Sequence, residues 1–93
     1  MIRLNCFIKV DEKNRERVLS AARRLTEASL KQEGCIAYDI FESATRPDVL
    51  MFCETWRDQA ALDAHATSEV FVKETKEIHD YADLKIERLS FDR

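Results

Sequence analysis

The N-terminal ten residues alternate between apolar and polar positions, which predicts a strand over residues 2–10. From Asp11 the apolar positions are spaced by three or four residues, which is typical of an amphipathic helix. Gly34 suits the left-handed residue that often follows a helix C-terminus. This part of the chain therefore predicts a strand followed by a helix.

Two more strands are predicted over residues 35–42 and 49–56, with Pro47 in the loop between them. In the first of these strands we expect Ile36, Tyr38 and Ile40 to share one face. The two strands follow the helix directly, and they are close enough in sequence to form a hairpin.

The C-terminal third predicts two helical pieces and a last strand. Asp58 can cap a short helix, and Thr67-Ser68 breaks it before a second helical piece. The last strand is expected over about residues 84–91, with an irregularity near Arg88-Leu89, where the alternation slips. The order β-α-β-β-α-β is that of the ferredoxin-like α+β fold.

The apolar pattern of the third predicted strand indicates that a second subunit covers the sheet. Helices on one face of an antiparallel sheet usually leave the other face polar, yet residues 49–53 are apolar on both faces. Something must cover the second face, so we expect a homodimer in which two sheets pack face to face. The alternative is a central strand with a little exposed apolar area.

Composition excludes several function classes. A net charge of −3 with interspersed charges gives no basic stripe for nucleic acid. The longest apolar runs are too short for a membrane span or a signal peptide. The three cysteines lack C-x-x-C spacing, which indicates reduced thiols. Both observations lead us to expect a cytoplasmic location. The single glycine, Gly34, rules out phosphate-loop and dinucleotide motifs, and no His or Cys cluster has metal spacing. We expect no cofactor and no metal.

Candidate chemistry concentrates where the third strand meets the following helix. His65 should project toward the sheet, where it is either a base for a phenol or enol or a structural histidine bonded to backbone. Glu54 needs a partner such as an arginine, or a raised pKa, and is either half of an ion pair or an acid/base group. Trp56 belongs either to the core or to a substrate wall, and Asn5 and Tyr38 are either structural or ligand-binding.

A wider set of positions carries a family resemblance, namely Glu33-Gly34-Cys35 with Tyr38, Glu54-x-Trp56, Leu62, His65 and Val70-Phe71. In order and spacing they resemble the antibiotic biosynthesis monooxygenase (ABM) domain family over almost the whole chain. We expect residues 1–93 to form a single domain of this kind. It implies a dimeric α+β barrel of two ferredoxin-like subunits. Each subunit would hold a pocket between its sheet and its helices.

The resemblance also implies an activity. The family includes oxygenases that oxidise quinols and polyphenols with dioxygen and use neither metal nor flavin. By position, His65 would be the base or phenolate anchor, and Asn5 would orient the substrate oxygen. Trp56 and Phe71 would form the wall of the pocket, and we assign Tyr38 and Glu54 to substrate contact as well.

Two enzyme alternatives come from the same resemblance. Haem-degrading relatives share the fold and an asparagine on the first strand, but Thr75 stands where their histidine ligand would be, which argues against haem. Isomerisation of a small phosphorylated sugar would need cationic contacts, for which Arg3, Lys73 and Arg88 are candidates. A third reading, from another class, is a dimeric small-molecule-binding protein without turnover.

Overall fold

Four antiparallel strands form one layer of the computed structural model, which describes residues 1–90. The strands are β1 (Ile2–Lys9), β2 (Cys35–Glu42), β3 (Val49–Trp56) and β4 (Asp83–Ser90). Their order in the sheet is β2-β3-β1-β4, and every neighbouring pair is antiparallel. This arrangement confirms the ferredoxin-like α+β fold.

The second layer contains three helices, which are α1 (Arg15–Ser29), α2 (Gln59–Ala66) and α3 (Glu69–Tyr81). The Asp58 carboxylate accepts the Ala61 backbone N–H at 2.9 Å. The Ser68 hydroxyl accepts the Phe71 backbone N–H at 3.3 Å. These caps satisfy N–H groups that the first turn of a helix leaves free, so they fix where α2 and α3 begin; α2 follows the end of β3 after two residues.

The core lies between the two layers. Alternate positions of β1 and β3 face the helices, because successive side chains of a strand point to opposite faces. Ile8, Leu50 and Trp56 are fully buried there, against Val18 of α1 and Ile78 of α3. The alternating apolar residues of β1 and β3 thus form the face of the sheet that the helices cover.

Two local expectations about strand regularity are wrong. The β2–β3 register shifts between Cys35 and Ala37, so Cys35 faces the helices and Ile36 is 53% exposed. A bulge of this kind inserts one residue that period-two alternation does not anticipate. By contrast, β4 pairs with β1 residue by residue through Arg88 and Leu89 without a slip. The predicted strand end at Phe91 lies outside the described residues.

The face of the sheet turned away from the helices is partly apolar. Met51 of β3 lies opposite Phe7 of β1 and Phe41 of β2, and Cys53 lies one step further along the same face. Phe41 and Leu89 are about half exposed on this face. We call this surface, formed by Phe7, Phe41, Met51, Cys53 and Leu89, the outer sheet face. No helix in the described part of the chain is long and apolar enough to cross a membrane.

Candidate functional site

A cavity of about 500 Å³ lies between the sheet and the helices, where a pocket was predicted. It reaches the surface near Gln59 and Asp63 of α2 and Ile86 of β4, all of which are exposed. Its inner lining is largely apolar and aromatic, with a small set of polar groups. The inner lining includes Leu4, Cys6, Leu25, Tyr38, Phe52, Glu54, Leu62, His65 and Phe71.

His65 lies at the inner end of this cavity and is only 1% exposed. Its ring centroid is 4.5 Å from that of Trp56, 4.9 Å from that of Phe71 and 5.4 Å from that of Tyr38. The prediction that His65 projects toward the sheet is therefore confirmed. Three aromatic side chains fix the plane of the imidazole.

The two ring nitrogens of His65 have different surroundings. A hydrogen bond of 2.7 Å joins Nδ1 to Oε1 of Gln32, in the loop after α1. Nε2 is buried and has no hydrogen-bond partner among residues 1–90. It lies 3.9 Å from Oε1 of Glu54, which is too far for a hydrogen bond and close enough for charge to matter. A hydroxyl group of a ligand in the cavity could supply the hydrogen bond that this buried nitrogen lacks.

Glu54 is a buried carboxylate without a lysine or arginine partner in the described chain. Trp56, two residues later on the same face of β3, donates its indole N–H to Glu54 Oε1 at 2.7 Å. Burial raises the pKa of Glu54, and hydrogen bonds from Trp56 and Tyr38 oppose that rise. The raised pKa was one of the two outcomes expected from the sequence. The other, an arginine partner, is replaced by an indole donor.

Burial also sets the protonation of the neighbouring groups. The pKa of His65 is lowered to about 4, because the interior disfavours its charged form. The pKa of Tyr38 is raised by burial and by the nearby Glu54 charge. At neutral pH the site therefore presents a neutral imidazole and a neutral phenol beside Glu54. Such a histidine can accept a proton at Nε2.

The structure brings most of the predicted site residues together. His65, Glu54, Tyr38 and Phe71 all line the cavity. Trp56 is fully buried behind His65 and Glu54, so it supports the wall rather than forming the exposed lining.

Asn5 is not brought to this cavity. Leu4 and Cys6 line it, and Asn5 lies between them on β1, so its side chain is directed to the opposite face of the sheet. Its neighbours across the sheet are Cys53 and Glu87. The structure therefore does not place Asn5 in this cavity, where the family resemblance implied that it would orient a substrate oxygen.

Sequence analysis missed two kinds of site residue. Gln32 is 33 positions from His65 in the chain and lies in a loop, where apolar periodicity gives no information. Thr75 and His79 of α3 also line the cavity, and His79 is exposed at its rim. Only the neighbouring Gly34 could have drawn attention to the loop that carries Gln32.

Metal and phosphate ligands are scarce near the site. Within residues 1–90, no group of three or more His, Cys, Asp or Glu side chains could hold a metal ion. No lysine or arginine of the described chain lines the cavity. The buried groups at its inner end that could contact a ligand include the Glu54 carboxylate, the His65 imidazole and the Tyr38 hydroxyl.

The family model of the antibiotic biosynthesis monooxygenases (ABM) matches residues 1–76, and the chain belongs to this family. It is similar to a Bacillus subtilis protein named "Putative monooxygenase YcnE", with 37% identity over 81 residues. That match covers 84% of this chain and 85% of the relative.

Solved structures share the same fold. A Bacteroides thetaiotaomicron protein of unknown function, described as a possible oxidoreductase, has 50% sequence identity and a TM-score of 0.95, with 97% of this chain and 96% of that chain covered. A crystal structure of an antibiotic biosynthesis monooxygenase has 26% identity and a TM-score of 0.91, and it covers both chains completely. The fold and the family are thus established independently of the site.

Proposed function

We propose that this protein is a cofactor-independent monooxygenase that oxidises a quinol or polyphenol-type aromatic compound in the cavity, with His65 as the base. The observation that supports it most is the buried, unpartnered Nε2 of His65 beside Glu54, in a cavity lined by aromatic rings. A flat phenolic compound fits apolar walls that converge on a proton acceptor. Membership of the ABM family and the monooxygenase name of the Bacillus relative agree with this class of reaction.

The chemistry needs little from the protein beyond deprotonation and exclusion of water. A phenolate gives up an electron to dioxygen far more readily than the neutral phenol does. Oxidation of a quinol to a hydroxyquinone supplies all the electrons needed to place one oxygen atom in the ring and release the other as water. A cavity with few polar groups also limits hydrolysis and loss of reactive intermediates.

His65 does not act alone in this proposal. A phenol has a pKa of about 10, far above that of a buried imidazole, so proton transfer to an isolated His65 would be unfavourable. The Glu54 carboxylate lies 3.9 Å from Nε2 and stabilises the imidazolium that forms. The Trp56 indole can only donate, so its hydrogen bond favours the ionised form of Glu54.

The alternative functions find less support. A phosphorylated sugar needs cations, yet Arg3 lies on the outer side of the sheet against Thr55 and Arg88 contacts Gln59 at the rim. Lys73 is exposed on α3 and does not line the cavity. A binding protein without turnover would hold His65 through backbone contacts, whereas its Nδ1 is bonded to a side chain and its Nε2 is free for a ligand.

We propose in addition that two subunits associate through the outer sheet face, in the cytoplasm. Exposed Phe41 and Leu89 on that face, with Phe7 and Met51 between them, are apolar groups that a second copy would remove from water. The same face on both copies satisfies the two-fold symmetry of a homodimer. Cys6, Cys35 and Cys53 are free thiols, which suits a reducing compartment.

Oxygen uptake with a panel of quinols and polyphenols tests the activity. We expect uptake with at least one electron-rich quinol, and one atom of isotopically labelled dioxygen in the product. His65→Gln should reduce kcat by a factor of about 100 or more, since general base catalysis is worth that much. Ala64→Gln, which places the same side chain on the exposed neighbouring position of α2, should leave it unchanged. Equal rates for His65→Gln and the wild type would remove His65 from the mechanism.

A further inference from the structure

The loop between α1 and β2 brings one side chain to the buried histidine. Gln32 Oε1 lies 2.7 Å from Nδ1 of His65. An amide oxygen can only accept a hydrogen bond, so Nδ1 must carry the proton in this contact. In a neutral imidazole the other nitrogen, Nε2, then holds the lone pair. In this contact Nε2 is therefore the ring nitrogen that can act as a base.

Glu54 favours the opposite arrangement. Its Oε1 lies 3.9 Å from Nε2, and a proton on Nε2 would face that carboxylate. The other elements that pack against the ring present aromatic side chains to it, Tyr38 of β2, Trp56 of β3 and Phe71 of α3. Without Gln32, electrostatics would therefore move the proton of neutral His65 toward Nε2, the nitrogen that must accept a substrate proton.

The backbone of the loop is fixed on both sides of Gln32. Its N–H donates to the Ser29 carbonyl at 3.0 Å, and its carbonyl accepts the Cys35 N–H at 3.2 Å. The Gly34 carbonyl accepts the Arg57 N–H at 2.8 Å, which ties the loop to the end of β3. A rigid loop lowers the entropic cost of holding the Gln32 side chain against His65.

Gly34 also allows the loop to approach α2 closely. Its φ is +81°, and a Cβ at this position would lie 2.4 Å from the Cβ of Ala61. Ala61 lies one helical turn before His65, so this contact sets the distance between the loop and the imidazole. The glycine and the helix together place Gln32 within hydrogen-bonding reach of Nδ1.

We propose that Gln32 is a positioning residue that holds His65 in the Nδ1-protonated tautomer and so keeps Nε2 free to accept a proton from the substrate. The catalytic consequence rests on the proposed function, whereas the tautomer is a property of the protein alone. Gln32 acts through His65 and does not line the cavity itself. The two parts can be tested separately.

NMR of the imidazole nitrogens tests the tautomer in the unliganded protein at neutral pH. We expect a protonated Nδ1 and an unprotonated Nε2 in the wild type. Gln32→Leu removes the acceptor at similar size, and at least half of the molecules should then carry the proton on Nε2. Gln32→Glu keeps an acceptor oxygen and should restore the Nδ1 proton, while Lys31→Leu, on the exposed neighbouring residue, should behave as the wild type.

Two results would overturn the positioning role. One is a wild type in which Nε2 carries the proton, a result that needs no variant to fold. The other is a folded Gln32→Leu whose imidazole signals match those of the wild type.

Kinetics provide the second readout. With a quinol that the wild type oxidises, Gln32→Leu should lower kcat about 10- to 100-fold with little change in KM, the size of loss typical of a metal-binding histidine that loses the partner orienting it. Gln32→Glu should recover most of kcat. Loss of activity in Gln32→Leu without a change of tautomer would contradict the role. Absence of oxygen uptake by the wild type would refute the proposed function and leave the tautomer result standing on its own.

Discussion

Nε2 of His65 faces Oε1 of Glu54 across 3.9 Å in the interior of the protein, where His65 is 1% and Glu54 6% exposed. Burial lowers the pKa of the imidazole to about 4 and raises that of the carboxyl group above its ordinary value, so the usual order of the two pKa values is reversed. Groups this close titrate as a pair rather than singly. Two such groups in one cavity form a site that can take up one proton from a ligand.

Acidification should abolish the activity. Protonation of Nε2 or of Glu54 removes the acceptor or the charge that supports it, so kcat/KM is expected to fall as the pH drops below neutrality and to level off above it. The profile is measured by oxygen uptake at saturating dioxygen.

Glu54→Gln separates the charge from the hydrogen bond in the same assay. The amide oxygen still accepts the Trp56 N–H, but the imidazolium loses its counter-charge, so kcat should fall about 100-fold or more. A Glu54→Gln enzyme as fast as the wild type would show that the carboxylate has no part in the reaction.

The buried histidine should also make stability depend on pH. Its pKa in the folded protein is about 4, below the value of 6.5 for a free histidine, so the unfolded chain binds more protons between these limits. Stability should therefore fall as the pH drops through this range, by up to about 3 kcal/mol.

Denaturant unfolding of the wild type and His65→Gln at several pH values measures this term. The difference between their free energies of unfolding reports on His65 together with its coupling to Glu54, because His79 and the other carboxyl groups are common to both. We expect the wild type to lose more stability than the variant on acidification. Parallel pH dependences would contradict a buried neutral histidine.

Gly34→Ala should destabilise the protein through two separable effects. The positive φ disfavours any residue with a Cβ, and the new Cβ would collide with that of Ala61. Together they should cost roughly 2 kcal/mol or more in unfolding free energy.

Ala61→Gly provides the matched control for this substitution. Alone it should cost about 1 kcal/mol, as a glycine inside a helix does. In the double variant the collision disappears and the cost of the positive φ remains, so the two effects should be less than additive. Strict additivity would mean that the loop does not press against α2.

The outer sheet face should control association. Met51→Lys places a charge at the middle of that face, opposite Phe7, and is expected to convert a dimer into a monomer in sedimentation experiments. Val72→Lys adds the same charge on the exposed side of α3, where Val72 is 58% exposed, and should leave the dimer intact. A monomeric wild type, or a Met51→Lys protein that still dimerises, would contradict the proposed interface.

The fold was predictable because its signals are local. Alternation over β1 and β3, helical spacing in α1, and the caps Asp58 and Ser68 all act within a few residues. The same alternation predicts that Glu54 and Trp56 share a face, which their hydrogen bond confirms. The same alternation places Asn5 on the face opposite to Leu4 and Cys6, away from the cavity, whereas the family resemblance implied a contact with the substrate.

The rest of the site depends on contacts between distant segments. The bulge at Ile36 and the hydrogen bond from His65 to Gln32 arise from the packing of β2 and its preceding loop on neighbouring elements. No periodicity records such a contact, because a loop side chain can point in any direction until the fold is complete. The pKa of His65 likewise follows from burial, which a single sequence does not specify.

Proton transfer to the His65–Glu54 pair can be observed directly with para-nitrophenol, whose phenolate absorbs visible light and whose neutral form does not. At a slightly acidic pH, where the free compound is mostly neutral, binding to the wild type should produce the phenolate band. The compound bound to His65→Gln should remain neutral. A bound neutral phenol in the wild type, or an equal phenolate band in the variant, would contradict the account.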